Sequence, residues 1–320
     1  MVRFSRISKR FVLQKSFTGK PLKYVHALNN VSFEAYRGQS TGIVGESGSG
    51  KSTLIRLFMG LYQPDSGFFS MDEMISTYMQ KADWNKLRRR AAMVFQDPWG
   101  SLNPRLRIQD ILSEPLAIHG SALQIPKSEW ANILYKTLDS VGLPQSCLTK
   151  YPHEFSGGQR QRIGIARALI LKPSLILLDE PVSALDVSIQ AQILNLLSDL
   201  RSEFNLTYLF IAHDLGVVRY LCDRIVVMYA GRVMEVSDSE SLFENPRHPY
   251  TKTLLNAMPS IEKLGQIPEA EPEVEIVENQ GGCPFVHRCS RVMEICHKTM
   301  PQASTLGTST FYCHNPMPQI

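Results

Sequence analysis

The sequence predicts an α/β fold built on a largely parallel core sheet. Three observations carry that expectation. The stretch STGIVGESGSGKSTLIRLFMG reads as a short apolar strand, a glycine loop and a helix. The apolar runs Leu175–Leu178 and Thr207–Ala212 read as buried strands, and the amphipathic segment Val187–Phe204 between them reads as a helix. Strands alternating with helices build a parallel sheet with helical crossovers.

The elements follow in order. Lys23 to Phe69 is β-rich around the glycine loop, with a strand at Thr41–Val44, the loop at Gly45–Gly50 and a helix over Lys51–Met59. Asp97 to Pro152 is helical in pattern and punctuated by prolines, as in IQDILSEPLAI, and reads as an inserted helical subdomain. Gly157–Leu171 reads as a helix stopped by Lys172-Pro173. After about Val236 the character changes. ENPRHPYTKTLLNAMPS is a turn leading into a helix, and PEAEPEVEIVENQGG is an acidic, proline-containing loop or linker. A boundary near residue 237 divides the chain into 1–237 and an extension over 238–320. No internal repeat is evident.

Composition sets the class. The chain has 320 residues, 43% apolar and 20% charged, as expected of a soluble globular protein. A formal charge of +4 is too weak to argue for nucleic acid. No apolar run approaches the ~20 residues of a membrane span. The N-terminal MVRFSRISKRFVLQK is basic but lacks the apolar core of a secretory signal. A cytoplasmic location is therefore expected. Cys147 and Cys222 read as small buried apolar residues. Cys283, Cys289, Cys296 and Cys313 crowd the end of the chain, where a reducing compartment favours metal over disulfides.

Gly45-Glu46-Ser47-Gly48-Ser49-Gly50-Lys51-Ser52-Thr53 matches GxxxxGK[ST] in full. Its glycines let backbone N–H groups surround phosphate oxygens, and the helix start adds positive partial charge. Lys51 suits the β- and γ-phosphates, and the Ser52 hydroxyl suits Mg²⁺. In LILLDE a buried strand ends in two carboxylates. Asp179 suits Mg²⁺, and Glu180 is the natural base for an attacking water. Gln96 closes an apolar run and could touch Mg²⁺ or water, although such a glutamine alone is more often a polar loop residue. His213 follows TYLFIA and could bond a γ-phosphate, although a lone strand-end histidine is usually structural. Asp186 in SALD reads as a helix N-cap. FSGGQ places the Ser156 hydroxyl, the Gly157 and Gly158 N–H groups and Gln159 at another helix start, the same phosphate chemistry a second time.

This ordered set resembles the nucleotide-binding subunits of ATP-binding cassette (ABC) transporters over roughly residues 20 to 237. The resemblance implies a phosphate-loop ATPase domain with a parallel core sheet, an antiparallel β subdomain and a helical subdomain at about 97–165. It implies head-to-tail pairing, in which Ser156, Gly157, Gly158 and Gln159 serve the partner's ATP. Gly45 to Thr53, Gln96, Asp179, Glu180 and His213 would serve the chain's own ATP, and Asp186 would couple the dimer. Adenine usually stacks on an aromatic residue ahead of the phosphate loop in this family, and Tyr24 is the candidate. Phe155 stands where leucine is commoner in the signature.

VFQDPWGSLNPR and NPRHPYTKTLLNAMP narrow the resemblance to ATP-binding subunits of bacterial dipeptide and oligopeptide importers, where the His248-Pro249-Tyr250 element marks the C-terminal extension. SLNPR resembles the F-type subunit paired with a non-identical ATPase. Two permeases and an extracytoplasmic binding protein are the implied partners, with the chain peripheral on the cytoplasmic face of the inner membrane and no nucleic acid bound. Related importers of the branch carry nickel, glutathione or antimicrobial peptides. The tail, Cys283-x5-Cys289-x6-Cys296-x16-Cys313, suits a [4Fe–4S] cluster by the same resemblance, with Zn²⁺ as the alternative. His287, His297 and His314 are possible zinc ligands or plain surface histidines. A soluble, non-transport ABC ATPase would carry tandem cassettes or a basic arm, and neither is visible.

Overall fold

The computed structural model describes residues 1–16, 21–258 and 281–319. Most of the acidic linker falls outside the described residues. The chain divides into two compact units, Met1–Ala35, Ser40–Thr77 and Ala212–Ile320 in the first, Tyr36–Gln39 and Tyr78–Ile211 in the second.

The first unit opens with two long antiparallel strands, β1 (Val2–Lys15) and β2 (Pro21–Ala35). Val2, Phe4 and Ile7 point inward from β1, with the alternation shifted by one where Arg6 adopts φ 49°. After β3 (Ser40–Val44) and the glycine loop comes α1 (Lys51–Phe58), then β4 (Ser66–Met71) and the short β5 (Met74–Ile75). A four-stranded antiparallel sheet runs β2-β1-β4-β5. Its inner face holds α1 through aromatic contacts: Phe4 stacks on Phe33 at 4.7 Å, and Phe58 of α1 meets Phe69 at 4.8 Å. The helix that begins at the glycine loop is thus fixed by its far end.

The second unit begins with α2 (Lys81–Arg90) and β6 (Ala91–Val94). Residues 95–107 are not helical, contrary to the sequence expectation for the start of the insert. Asp97 and Asn103 side chains instead accept from the N–H groups of Trp99 and Arg105, two residues on. Such local bonds favour turns over helix. The helices proper are α3 (Ile108–His119), α4 (Lys127–Ser140) and α5 (Gly157–Leu169). They are followed by β7 (Leu175–Asp179), α6 (Val187–Phe204) and β8 (Thr207–Ile211). Strands β6, β7 and β8 pair in parallel, and every residue of β7 and β8 is buried. Continuous apolar strands of this kind need cover on both faces. α6 supplies a stripe, Ile193, Leu194, Leu197 and Leu200, at helical spacing.

The chain returns to the first unit with α7 (Leu215–Leu221), β9 (Arg224–Tyr229), β10 (Arg232–Asp238), α8 (Ser239–Glu244) and α9 (Pro249–Asn256). The tail adds α10 (Glu294–Lys298) and a hairpin of β11 (Ser304–Leu306) and β12 (Ser309–Phe311). β3 pairs in parallel with β9, β9 and β10 are antiparallel, and β12 extends the sheet beside β10. A buried carboxylate joins β10 to α9. Glu235 accepts from the N–H groups of Arg247 and His248, both at 2.8 Å, and from the Thr251 hydroxyl at 2.6 Å. His248 is the N-cap of α9: its Nδ1 accepts from the Tyr250 N–H at 3.0 Å, and Pro249 fills the first helical position. Cys147 and Cys222 are both buried, as small apolar residues would be.

Burial pushes the His248 imidazole down to about 3. A folded-state value below the ordinary 6.5 means that the unfolded chain binds the proton first. The stabilisation is therefore complete above pH 6.5 and is lost as pH falls from there towards 3, by at most about 1.4 kcal/mol per pH unit. Burial moves Glu235 up, with the opposite pH sign, but this group is common to wild type and variant. Denaturant unfolding at pH 8 and pH 5 will show His248→Asn losing less stability on acidification than wild type.

Candidate active site

In the first unit the glycine loop leaves β3 at Val44 and enters α1 at Lys51. Gly50 caps the helix at φ 99°, and a Cβ there would overlap the Ala27 carbonyl oxygen. Both facts require glycine. Lys51 is buried, and its Nζ donates to the carbonyls of Gly45 at 2.7 Å and Glu46 at 2.9 Å, and towards the Ser49 Oγ at 3.4 Å. Its charge is therefore held against the loop's own backbone. The Ser49 carbonyl accepts from the Gly231 N–H at 3.1 Å. Ser47 and Gly48 are exposed, while Ser52 and Thr53 are half-buried on the first turn of α1. His213 is exposed just ahead of α7, whose N-cap Asp214 accepts from the Gly216 N–H. Tyr24 lies on β2, 41% exposed, with the Arg10 guanidinium over its ring at 5.3 Å.

In the second unit Asp179 ends β7 and is 1% exposed. Glu180 follows at φ 46°, a left-handed backbone unusual for glutamate. Its N–H donates to the Ile211 carbonyl at 3.1 Å and its carbonyl accepts from the Ser183 hydroxyl at 3.1 Å. The side chain accepts from the Gln96 Nε2 at 2.8 Å. Two residues that the sequence singled out separately thus meet. Asp186 caps α6 by accepting from the Ile189 N–H at 3.0 Å.

The FSGGQ stretch forms a capping box. Ser156 Oγ accepts from the Gln159 N–H, and Gln159 Oε1 accepts from the Ser156 N–H at 3.0 Å. Behind it Arg160 is buried, donates to the Pro152 carbonyl at 2.6 Å, and lies 3.2 Å from the Trp99 ring centre. Gly158 has a reason to be glycine that owes nothing to phosphate: a Cβ would stand 2.5 Å from the Ile189 Cγ2.

The four tail cysteines influence one another. Burial, and then the neighbouring thiols, push Cys283 up to about 12 and Cys313 up to about 11, and Cys289 also moves up. The Cys283 N–H donates to the Cys296 carbonyl at 2.8 Å. Among the described residues, however, no group of three or more His, Cys, Asp or Glu side chains is arranged to hold a metal ion. His287 and His297 meet edge to face at 6.3 Å, and His314 bonds the Thr299 carbonyl.

Residues 28–183 match the family described as ABC transporter, and residues 234–296 match the oligopeptide/dipeptide transporter C-terminal region. The oligopeptide transport ATP-binding protein AppF of Bacillus subtilis is 44% identical over 315 residues, covering 96% of this chain and 95% of that one. The chain belongs to the ABC transporter ATP-binding subunits, in the oligopeptide/dipeptide branch. A Brucella ovis protein described as a candidate peptide import ATP-binding protein is 47% identical over 283 residues, covering 86% of this chain and 87% of that one. Among solved structures, a dimeric bacterial ABC transporter cassette matches with TM-score 0.64 and 28% identity, over 75% of this chain and 99% of that chain. A post-hydrolysis dimer of the same cassette, bound to ADP and Pi, matches with TM-score 0.63 at the same identity, over 75% of this chain and 99% of that chain. This ABC subunit is an ATPase with the phosphate-loop α/β fold of those cassettes.

Sequence reasoning missed two residues that touch the ABC subunit's phosphate loop. The Tyr250 hydroxyl accepts from the Glu46 N–H at 3.0 Å, and Arg288 Nη1 pairs with the Glu46 carboxylate at 2.9 Å. The His248-Pro249-Tyr250 element was the available signal for the first. No sequence signal pointed to the second. The close approach at Gly158 predicts that Gly158→Ala loses about 1–2 kcal/mol of stability by overpacking. Adding Ile189→Ala will cost less than the sum of the single changes, a coupling that chemical denaturation will read.

Proposed function

We propose that this ATPase powers peptide import as one member of a head-to-tail pair of ATP-binding subunits. Residues Gly45 to Thr53 hold the triphosphate. Glu180 accepts the proton of the attacking water, Gln96 and His213 assist at the γ-phosphate, and Tyr24 stacks on adenine. Ser156, Gly157, Gly158 and Gln159 close on the nucleotide of the partner subunit, and Asp186 couples the pair. The observation that carries the reading is Glu180, set at the carboxyl end of a buried parallel strand with its carboxylate held by the Gln96 amide. Ligands of α/β sheets bind at such ends. Asp179 beside it fits a resident Mg²⁺ by the chemistry of its donor, a hard carboxylate oxygen at the carboxyl end of β7. Ser52 and Gln96 are its other proposed ligands. The metal would neutralise charge developing on the phosphate oxygens.

The pair would sit on two permeases at the cytoplasmic face of the inner membrane, with an extracytoplasmic protein delivering the peptide. The relatives' names support the peptide cargo. Nickel, glutathione or an antimicrobial peptide are the alternative cargoes of the branch. Among the described residues no helix is long and apolar enough to cross a membrane, so contact with the bilayer would run through the permeases. The boundary near 237 remains our division between the cassette, with its helical subdomain at about 97–165, and the extension.

The tail is proposed to take a [4Fe–4S] cluster, with Zn²⁺ as the alternative. The crowding of four cysteines, Cys283, Cys289, Cys296 and Cys313, at the end of the chain is what supports this reading. Among the described residues no such ligand set is arranged, and no catalytic step is routed through it.

Two outcomes are expected. Glu180→Gln will bind ATP, hydrolyse it at least about 100-fold more slowly and accumulate as a closed pair on size exclusion. A variant turning over at the wild-type rate would remove the base assignment. The purified protein will absorb in the visible iron–sulfur region and lose that absorbance in Cys289→Ser. A colourless protein with stoichiometric zinc would overturn the cluster.

A further inference from the structure

The second residue of the phosphate loop is an acid, and its surroundings treat it as a problem to be neutralised. Glu46 is half-buried beside a loop that receives a highly negative triphosphate. Arg288 Nη1 reaches both of its carboxylate oxygens, at 2.9 and 3.0 Å. The Glu46 main chain is held as well: its N–H donates to the Tyr250 hydroxyl at 3.0 Å, and its carbonyl accepts from Lys51 at 2.9 Å.

The two outside partners are themselves fixed. Tyr250 is fully buried, packs on Tyr229 at 4.7 Å, and stands on the helix capped by His248. Arg288 closes the short turn Val286–Arg288 that follows buried Phe285, and Phe285 packs against Tyr229 at 5.4 Å and Tyr250 at 5.2 Å. The Arg288 guanidinium lies 5.7 Å from the Phe285 ring centre. The contact joins residues 242 apart in sequence, and it brings the segment that carries Cys289 onto the loop.

We propose that Arg288 is a positioning residue of the nucleotide site: its charge cancels that of Glu46 at the entry to the phosphate loop, while Tyr250 holds the same residue's backbone. The cysteine-bearing tail is then part of what gives the loop its affinity for ATP. The pair is partly exposed, at 22% and 37% for the two side chains, so its effect is graded. Removing the arginine leaves an uncompensated carboxylate near the triphosphate and weakens nucleotide binding while leaving the water-activating residues in place.

The inference rests on residues 45–53 being the ATP cradle. Loss of ATP binding in Lys51→Ala tests that reading separately. Arg288→Ala is expected to raise the KM for ATP about two- to five-fold, the range of a partly exposed ion pair, with kcat nearly unchanged. Adding Glu46→Gln to Arg288→Ala will bring the KM back down, because the unpaired charge is gone, and Arg288→Lys will stay close to wild type. Thermal melting of each variant confirms folding. A KM unchanged in Arg288→Ala overturns the proposal. So does a raised KM that Glu46→Gln does not bring down and that Arg288→Lys shares, since a purely structural role for the tail would be indifferent to charge.

Discussion

A phosphate cradle needs several backbone N–H groups pointing at one place, and glycines cannot hold them there. Glycine contributes the conformational freedom and no packing. The shape of residues 45–50 therefore depends on what lies around the loop. Lys51 bonds the carbonyls behind it, Gly231 holds Ser49, and Tyr250 holds Glu46. Phe58 anchors the far end of α1 in an aromatic cluster. Each of these partners comes from a different stretch of chain, which makes the loop a reporter on the whole first unit.

The carboxyl end of β7 is organised differently. There the strand itself fixes the position, through parallel pairing on both sides and complete burial. The sheet places the backbone of Asp179, while the Glu180 side chain is held in addition by the Gln96 amide. Within the first unit the glycine loop is held only by contact, and within the second the end of β7 is held by sheet geometry.

What the sequence revealed follows this division. The buried strands, α6 at its observed bounds and the start of α5 were legible, because apolar runs and helical stripes have periods that a sequence displays. The glycine loop was legible because the spacing GxxxxGK[ST] is one that phosphate chemistry constrains. The bend at residues 95–107 was not, since Asp97 and Asn103 divert the backbone by bonds that helical periodicity does not show. Strand β1 hid in a segment read for its charge and its lack of an apolar signal core, its alternation broken at Arg6. The approach of Arg288 to Glu46 could not be read at all. It is a contact between distant residues whose types carry no mutual signature.

Glu180 sets two demands against each other. Its backbone at φ 46° is one that a glycine would adopt without cost, whereas a residue with a Cβ is strained there. In the role proposed for it, its carboxylate takes the proton of the attacking water, which a glycine could not do. Selection for heat resistance and selection for turnover therefore pull this position in opposite directions, and the residue that occupies it records which of the two prevailed.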